Sequence, residues 1–326
     1  MKMHASVLRF GPALPLVVAA VAAVSIGLGA GCGSSDTGVG GSTSASSSSS
    51  GTPSTGGSGG SSAMVACPDA PKIDGCDIAV APSSDDYTSI QTAFETVTAG
   101  GTVCLCPGNY TVNREISLNV ENVTVRGAGA KLGDVVLDFA KQKTGDDGFA
   151  VTSNGFDVEN LTIKNMPGNG LVVTGAKGVT FKDMKVYWDA GSSSKNGAYA
   201  VYPVSSQNVL IDSVEVVGAA DAGIYVGQCT NSIVRNSKVH GSVAGIESEN
   251  NTDCEIHDNE VYDNTAGILV FALPDKEKKT ALRTNVHDNL VHDNNLANFA
   301  ASGSTVSHVP SGIGILILAA DYAEVH

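Results

Sequence analysis

Basic residues are scarce in this sequence. It contains 19 Lys and Arg residues against 33 Asp and Glu residues, which gives a formal net charge of −14 at pH 7. Binding of nucleic acid needs a basic surface, so the charge argues against a nucleic-acid partner. The charge also argues against unaided binding of a polyanionic sugar. A bound cation such as Ca²⁺ would invert the local charge and restore that possibility.

Long apolar runs are missing apart from one near the N-terminus. The mostly apolar segment 13–28 is too short and too rich in alanine for a membrane span. We interpret residues 1–31 as an export signal. Its end, Leu28-Gly29-Ala30-Gly31-Cys32, resembles a bacterial lipobox, which implies acylation of Cys32. The alternative is ordinary secretory cleavage, because Gly29 stands where the lipobox usually has Leu.

Charged and large apolar side chains are almost absent from segment 32–62, which consists mainly of Gly, Ser and Thr. Such a segment has nothing to bury and is expected to be a flexible tether. The folded domain is then residues 63–326. These features predict an exported protein of the cell envelope, an outer-membrane or surface lipoprotein that touches the membrane through its lipid alone. A secreted protein is the alternative.

Cysteine is present in a small but informative number, seven in all. Acylation of Cys32 would leave six, and an even set in an exported chain suggests disulfides. Cys104 and Cys106 are two residues apart in a predicted strand, so their side chains share a face and should not bond to each other. We expect them to attach the segment that contains Cys67 and Cys76. Zinc-ligand spacing is absent near these four, and no metal site is predicted there.

A repeat of 22 residues organises the sequence. Gly223-Ile224 recurs as Gly245-Ile246, and the same step leads from Ile246 to Ile268. A fixed period of this size is typical of a solenoid, and the short apolar segments within it predict strands rather than helices. We therefore predict an all-β fold, a parallel β-helix. One strand position should recur in seven coils: Phe149, Leu171, Val201, Ile224, Ile246, Ile268 and Ile315.

The region before the first coil has a helical pattern. Apolar residues between Ile90 and Val97 fall on one face of a helix. A β-helix exposes the end of its core, so we predict that this short helix caps the N-terminal end. The helix and the following segment 101–110, Gly-Thr-Val-Cys-Leu-Cys-Pro-Gly-Asn-Tyr, resemble the beginning of many right-handed parallel β-helix proteins, including pectate lyase-like ones.

Four segments of the coils carry a further resemblance. They are Asn196–Val204, Asp221–Gln228, Val243–Asn250 and Gly267–Pro274. Through them, much of residues 63–326 resembles an exported, largely uncharacterised family of parallel β-helix repeat proteins. The resemblance implies a right-handed parallel β-helix and export, often with a lipid anchor. It implies no established activity, and the wider superfamily contains polysaccharide lyases, hydrolases and epimerases.

The last residues repeat the start of a coil. Val325-His326 matches Val286-His287, after which another strand follows. A β-helix that stops in mid-coil exposes an open edge, so we expect that the C-terminus is truncated and that later coils are missing.

Three insertions interrupt the regular coils, at 187–197, 272–284 and 294–312. All three border the same column of strands. Loops on a rigid scaffold are where function concentrates, so we expect a trough over this sheet.

Side chains that face this trough suggest a site. Strand alternation directs Tyr202, Tyr225 and Glu247 outward in one column and Glu249 in the next. Aromatic rings pack on sugar rings, and paired carboxylates act as acid and base. We therefore predict catalytic Glu247 and Glu249, with Tyr202, Tyr225, Trp188 and Asp189 as substrate-binding residues. The alternative is an exposed sheet face with solvated glutamates.

Two other patterns favour structural roles. The pair Asp146-Asp147 lies in a Gly-flanked segment that is typical of a turn. His257, His287 and His326 occupy equivalent positions in successive coils, but the Asp residues beside them fit turn chemistry better than a transition-metal site.

These observations predict an envelope-anchored protein that binds or processes extracellular polysaccharide. As an enzyme it would be a polysaccharide lyase, an epimerase or a glycoside hydrolase, and Ca²⁺ is the one cofactor considered. The alternative is a non-catalytic scaffold that docks an envelope protein through the three insertions. The sequence identifies neither the reaction, the sugar nor the partner.

Overall fold

The computed structural model describes Cys67 and residues 75–326. The predicted export signal, the lipidation site Cys32 and the tether lie outside the described residues. Within the described part of the chain, no helix is long and apolar enough to cross a membrane.

Parallel strands stacked in two sheets form the molecule. We number the strands in chain order. The eight-stranded sheet contains β4 (Arg114–Leu118), β7 (Thr144–Val151), β10 (Leu171–Thr174), β12 (Val201–Val204), β14 (Ala222–Gly227), β17 (Ala244–Glu249), β20 (Ala266–Phe271) and β23 (Ile313–Leu318). The seventeen-stranded sheet contains β1 (Ile78–Val80), β2 (Thr102–Leu105), β3 (Gly108–Thr111), β5 (Thr124–Gly127), β6 (Val135–Asp138), β8 (Phe156–Glu159), β9 (Thr162–Lys164), β11 (Lys177–Tyr187), β13 (Gln207–Val217), β15 (Thr230–Arg235), β16 (Lys238–His240), β18 (Thr252–His257), β19 (Glu260–Tyr262), β21 (Ala281–His287), β22 (Leu290–His292), β24 (Ala320–Asp321) and β25 (Glu324–Val325).

The register of the eight-stranded sheet follows the sequence repeat. The seven strand positions predicted to be equivalent are direct partners in successive pairings: Phe149, Leu171, Val201, Ile224, Ile246, Ile268 and Ile315. Their side chains point into the core, and each fully buried one contributes about 1.5–3 kcal/mol to folding. The predicted right-handed parallel β-helix is confirmed.

An α-helix, α1 (Asp86–Thr96), closes the N-terminal end of the core. The side chain of Asp85 accepts a hydrogen bond from the Thr88 amide at 3.2 Å and caps the helix. Phe94 on its inner face is buried, with its ring centroid 6.2 Å from that of Phe149. The predicted capping helix is therefore confirmed.

Two disulfides hold the segment before the helix. Cys67 is bonded to Cys106, and Cys76 is bonded to Cys104. Cys104 and Cys106 thus point to the same side and have separate partners. The remaining described cysteines, Cys229 and Cys254, are free and buried.

Glycine is required at the second residue of two strands of the eight-stranded sheet, β14 and β17. A Cβ atom on Gly245 would lie 2.3 Å from Cγ1 of Val261 and 2.8 Å from the Gly267 carbonyl oxygen. Gly223 meets Val239 in the same way, one coil earlier. The repeated Gly-Ile of the sequence is therefore a close backbone contact near the start of a strand, followed by a core residue.

The three insertions join strands of the eight-stranded sheet to their neighbours. As the structure has them, the connections run over 188–200, 272–280 and 293–312, and the last contains a 3₁₀ turn at Thr305–His308. Residue 187 ends β11, and residues 281–284 belong to β21, so the predicted bounds differ by a few residues.

Candidate functional site

The outer face of the eight-stranded sheet carries the predicted site residues in register. Glu247 lies between Tyr225 on the preceding strand and Leu269 on the following one. Glu249 lies between Gly227 and Phe271. The alternation predicted from the sequence is therefore correct, because all of these side chains lie on the face opposite the core.

This face has an open half and a covered half. The open half is the column Ser117, Ala150, Val172 and Tyr202, whose residues are exposed or half-buried. In the covered half Tyr225, Glu247 and Glu249 retain only 3%, 6% and 5% of their exposure. The alternative of an exposed sheet face with solvated glutamates is therefore wrong, because segments of the chain itself lie over both glutamates. The expected trough is open only over the other half.

Two insertions, 272–280 and 293–312, cover these side chains, and we call them the cover. Leu273 is buried in a cluster with Tyr225, Leu269 and Phe271, and Val309 packs against the same cluster. This apolar cluster is separate from the core inside the coils. Burial of apolar area on both sides therefore holds the cover onto the sheet.

Polar contacts fix the first segment of the cover. The Leu273 amide donates to Oδ1 of Asn250 at 2.9 Å, and Nδ2 of Asn250 donates back to the Leu273 carbonyl at 2.9 Å. Nζ of Lys278 donates to the Cys229 carbonyl at 2.6 Å. Nζ of Lys276 lies 3.3 Å from Oε1 of Glu249.

Three tyrosines meet at the boundary between the two halves. The ring centroids of Tyr199, Tyr202 and Tyr225 lie 4.6 to 4.9 Å from one another. The Tyr225 ring extends over Gly227, where an added Cβ would lie 2.3 Å from a ring carbon. Burial and the neighbouring carboxyl groups raise the pKa of Tyr202 to about 12. All three tyrosines are consequently neutral donors at physiological pH.

Three carboxyl groups lie among these rings. Burial, together with Asp221 and Glu249, raises the pKa of Glu247 well above its usual range. Burial raises the pKa of Asp221 to about 7, although a hydrogen bond from Tyr199 opposes the shift. Burial also raises the pKa of Glu249, against the effects of Lys276 and a hydrogen bond from Tyr225. Desolvation of a charged group is costly, so burial makes each of these carboxyl groups a weaker acid than it would be in water.

The other end of the open half has a fourth carboxyl group, which we did not predict as part of the site. Oδ1 of Asp147 accepts hydrogen bonds from the amide and from Nδ2 of Asn169, at 3.1 and 2.9 Å. Oδ1 of Asn169 accepts from the Tyr199 amide at 3.2 Å. Burial raises the pKa of Asp147, and so do Glu115 and Asp146 nearby. Asp147 belongs to β7, so the acidic pair is at the start of a strand rather than in a free turn.

Comparison with known families accounts for this architecture. A family model for a right-handed beta helix region matches residues 147–316, just over half of the chain. The chain belongs to this family. The β-helix family suggested by the sequence is therefore confirmed, and the match includes every residue of the tyrosine and carboxyl cluster.

Several solved structures are similar to this chain at low sequence identity. An alginate lyase from Paenibacillus sp. str. FPU-7 is 13% identical over 75% of this chain and 95% of its own, with a TM-score of 0.47. The mannuronan C-5 epimerase AlgE4 A-module of Azotobacter vinelandii is 18% identical over 77% and 91%, with a TM-score of 0.34. Pectate lyase Pel9A is 15% identical over 76% of each chain, with a TM-score of 0.40. No curated protein matches the sequence significantly.

Two residues of the predicted site lie away from this cluster of the β-helix. Trp188 retains 4% of its exposure, belongs to the core and donates from Nε1 to the Met166 carbonyl at 2.8 Å. Asp189 accepts hydrogen bonds from Lys164 and Asn165 at 2.9 and 2.8 Å. The prediction that the Trp188 ring is presented to a sugar is wrong, because the insertion turns it into the core.

Metal binding has no support in the part of the β-helix that the structure describes. Among those residues, no group of three or more His, Cys, Asp or Glu side chains could hold a metal ion. His257 and His287 stack with centroids 5.0 Å apart and planes 3° apart. Parallel rings at that spacing cannot share an ion at the 2.0–2.1 Å distance typical of zinc. Their Nδ1 atoms instead pair with Asp258 and Asp288 at 2.7 and 2.9 Å.

Proposed function

We propose that this protein is anchored in the cell envelope through Cys32 and binds and processes an extracellular polysaccharide on the open half of the sheet. The observation that carries this proposal is the proximity of a half-exposed aromatic residue, Tyr202, to buried carboxyl groups with raised pKa values at one end of an open sheet face. Aromatic faces pack on sugar rings, and carboxyl groups are the usual acids and bases of glycan chemistry.

Asp221 is the best placed general acid or base. Burial raises the pKa of this carboxyl to about 7, close to neutral pH. Proton transfer is most efficient when the pKa of the catalytic group lies near the operating pH. Glu247 and Glu249 lie under the cover, so in this conformation they do not reach a substrate, and Glu249 contributes to the raised pKa of Asp221. Asp147 faces the same open half from its other end.

Neutral or amino sugars fit this site better than uronates. The charged groups that shift the pKa values of Tyr202, Asp221 and Asp147 are all acidic. A uronate carboxylate would be repelled by them, whereas a neutral or cationic sugar would not. Added Ca²⁺ would be required for a uronate polymer and should leave the binding of a neutral one unchanged.

A binding screen of the full mature chain tests the proposal. Neutral, amino-sugar and uronate polysaccharides would be presented with and without Ca²⁺, followed by assays for chain cleavage or epimerisation. We expect binding to a neutral or amino-sugar polymer that Tyr202→Ala weakens at least tenfold. Tyr262→Ala, on the other sheet, is the matched control and should leave binding unchanged.

The catalytic part of the proposal has its own variant. Asp221→Asn should abolish turnover while retaining binding, because the amide cannot transfer the proton. Folded protein that binds none of the polymers would overturn the proposal. It would favour the alternative predicted from the sequence, a scaffold that docks an envelope protein through its insertions.

A further inference from the structure

The covered half continues the open half without a break in register. Val172 pairs with Tyr202, and the same outward column passes beneath the cover through Tyr225 and Glu247 to Leu269. If the cover lifted, the open half would lengthen along the stacking direction by three strands, about 4.8 Å each. The added surface would contain both glutamates predicted from the sequence to be catalytic.

The groups beneath the cover make its closure depend on charge. Glu247 faces Asp221 and Tyr199 from the preceding turns, Tyr225 from β14 and Glu249 from its own strand. The cover contributes Lys276, which pairs with Glu249, and the nearby Asp275. Lys276 thus pairs with Glu249, whereas the charged groups that act on Glu247 and Asp221 are acidic. The closed state can accommodate them only while most of the carboxyl groups are protonated, since unpaired buried charge is costly.

The attachments of the cover are limited in number. In segment 272–280, Leu273 is buried, while Pro274, Asp275, Glu277 and Lys279 are exposed. Segment 293–312 is bonded to the coil beneath only near its two ends, through Asn294 to Asn264 and through the Gly312 amide to the Thr265 carbonyl. Its middle is tied largely to itself, because Nδ2 of Asn298 donates to the carbonyls of Val306 and Val309. Segments with few buried contacts are those that open locally at low free-energy cost.

We propose that the cover is a pH-dependent lid, which lifts when Glu247 and Asp221 lose their protons and extends the glycan-binding face. The inference rests on the proposed function for the meaning of the exposed surface, but the movement itself is independent of any ligand. At mildly acidic pH the lid is closed over a nearly neutral cluster. As the pH rises, two like charges form next to Glu249, and opening to solvent relieves both their repulsion and their desolvation.

Hydrogen exchange of the full mature chain tests the lid. Protection of the amides in 272–280 and 293–312 would be measured at pH 5, 6, 7 and 8 and corrected for the intrinsic exchange rate. Above its pKa, an ionising group favours the state in which it is charged by up to about tenfold per pH unit. We expect protection of the cover to fall about tenfold between pH 7 and 8, while protection of β18 stays constant.

Two neutral variants complete the test. In each of Glu247→Gln and Asp221→Asn the fall in protection should be smaller than in the unchanged protein, because one of the two ionising groups has been replaced by an amide. Glu255→Gln, an exposed residue of β18, is the matched control and should behave like the unchanged protein. If protection of the cover depends on pH equally in all four proteins, or in none of them, the lid proposal is wrong. Opening of the lid without glycan binding would support this inference and contradict the proposed function. Glycan binding without opening of the lid would support the proposed function alone.

Discussion

At the scale of single residues, Glu247 is the most informative position. A carboxyl group that stacks between a tyrosine and a leucine beneath an apolar cover reduces stability unless it remains protonated. A hydrophobic residue would pack there at no such cost. Groups held in this state are more common at functional sites than elsewhere, which is why this residue supports both proposals.

The first prediction concerns the stability of Glu247→Gln. Because the pKa of Glu247 is raised in the folded state, the folded protein binds more protons than the unfolded chain above about pH 4.5. The contribution of Glu247 to stability is therefore fully present below that pH, and it is lost as the pH rises through the folded-state pKa. We expect the variant to melt at a higher temperature than the unchanged protein at pH 8, with little difference at pH 4.5. An equal difference at both values would contradict the explanation.

Gly245 gives a second prediction at this scale. Gly245→Ala places a methyl group against Val261 and the Gly267 carbonyl, so overpacking should reduce the free energy of unfolding by about 1–3 kcal/mol. Gly314 is the equivalent glycine two coils on, and its added Cβ would have no atom within 4 Å. Urea denaturation should therefore show a much smaller loss for Gly314→Ala. Similar losses of unfolding free energy in both variants would mean that the loss comes from replacing any glycine and not from this contact.

At the scale of structural elements, buried side-chain amides hold the turns of successive coils together. Nδ2 of Asn264 donates to the Val239 carbonyl at 3.0 Å and to Oδ1 of Asn294 at 2.9 Å. Oδ1 of Asn264 accepts from the Ser242 amide at 2.9 Å. Each amide thus satisfies backbone groups that the bend of the coil removes from the sheet.

The third prediction follows from this ladder. Asn264→Ala leaves several buried polar groups without a hydrogen-bond partner. Each such group costs roughly 1–3 kcal/mol, so the free energy of unfolding should fall by at least the cost of one group. Asn109→Ala, an exposed residue of β3, is the comparison and should change stability by no more than about 0.5 kcal/mol. Chemical denaturation of both variants measures the difference. A loss at Asn264 no larger than that at Asn109 would show that water replaces the amide.

At the scale of the whole molecule, ionisable groups of two kinds set the dependence of stability on pH. Some carboxyl groups are paired or hydrogen-bonded and have lowered pKa values: Asp85, Asp189, Asp212, Asp253, Glu260 and Asp288. Their contribution is present above about pH 4 and is lost as the pH falls through their folded-state values. Four other carboxyl groups and one imidazole have raised pKa values: Asp147, Asp221, Glu247, Glu249 and His292.

The fourth prediction is a stability maximum on the acidic side of neutrality. The raised carboxyl groups favour the folded state at low pH and lose that contribution as the pH rises. The raised pKa of His292 has the same sign, since its contribution is lost as the pH rises through the folded-state value. Thermal unfolding from pH 3 to 9 should show the highest melting temperature between about pH 4.5 and 6. A maximum above pH 7 would contradict the protonated cluster.

The sequence predicted most of the fold, but only part of the site. The 22-residue repeat and its insertions placed Ile224, Ile246 and Ile268 in register, because identical coils must stack at one fixed spacing. Alternation also gave the outward direction of Glu247 and Tyr225. It could not give their exposure, because that depends on where the insertions fold.

The sequence by itself determined the solenoid, its capping helix and the strand that bears each predicted residue. These features follow from periodicity and from local residue preferences, which act between near neighbours in the chain. Only the tertiary structure decided that Leu273 and Val309 cover Glu247, that Trp188 turns into the core and that Asp147 joins Tyr199 through Asn169. Those contacts join segments tens of residues apart, and long irregular connections have no repeat that would specify where they pack.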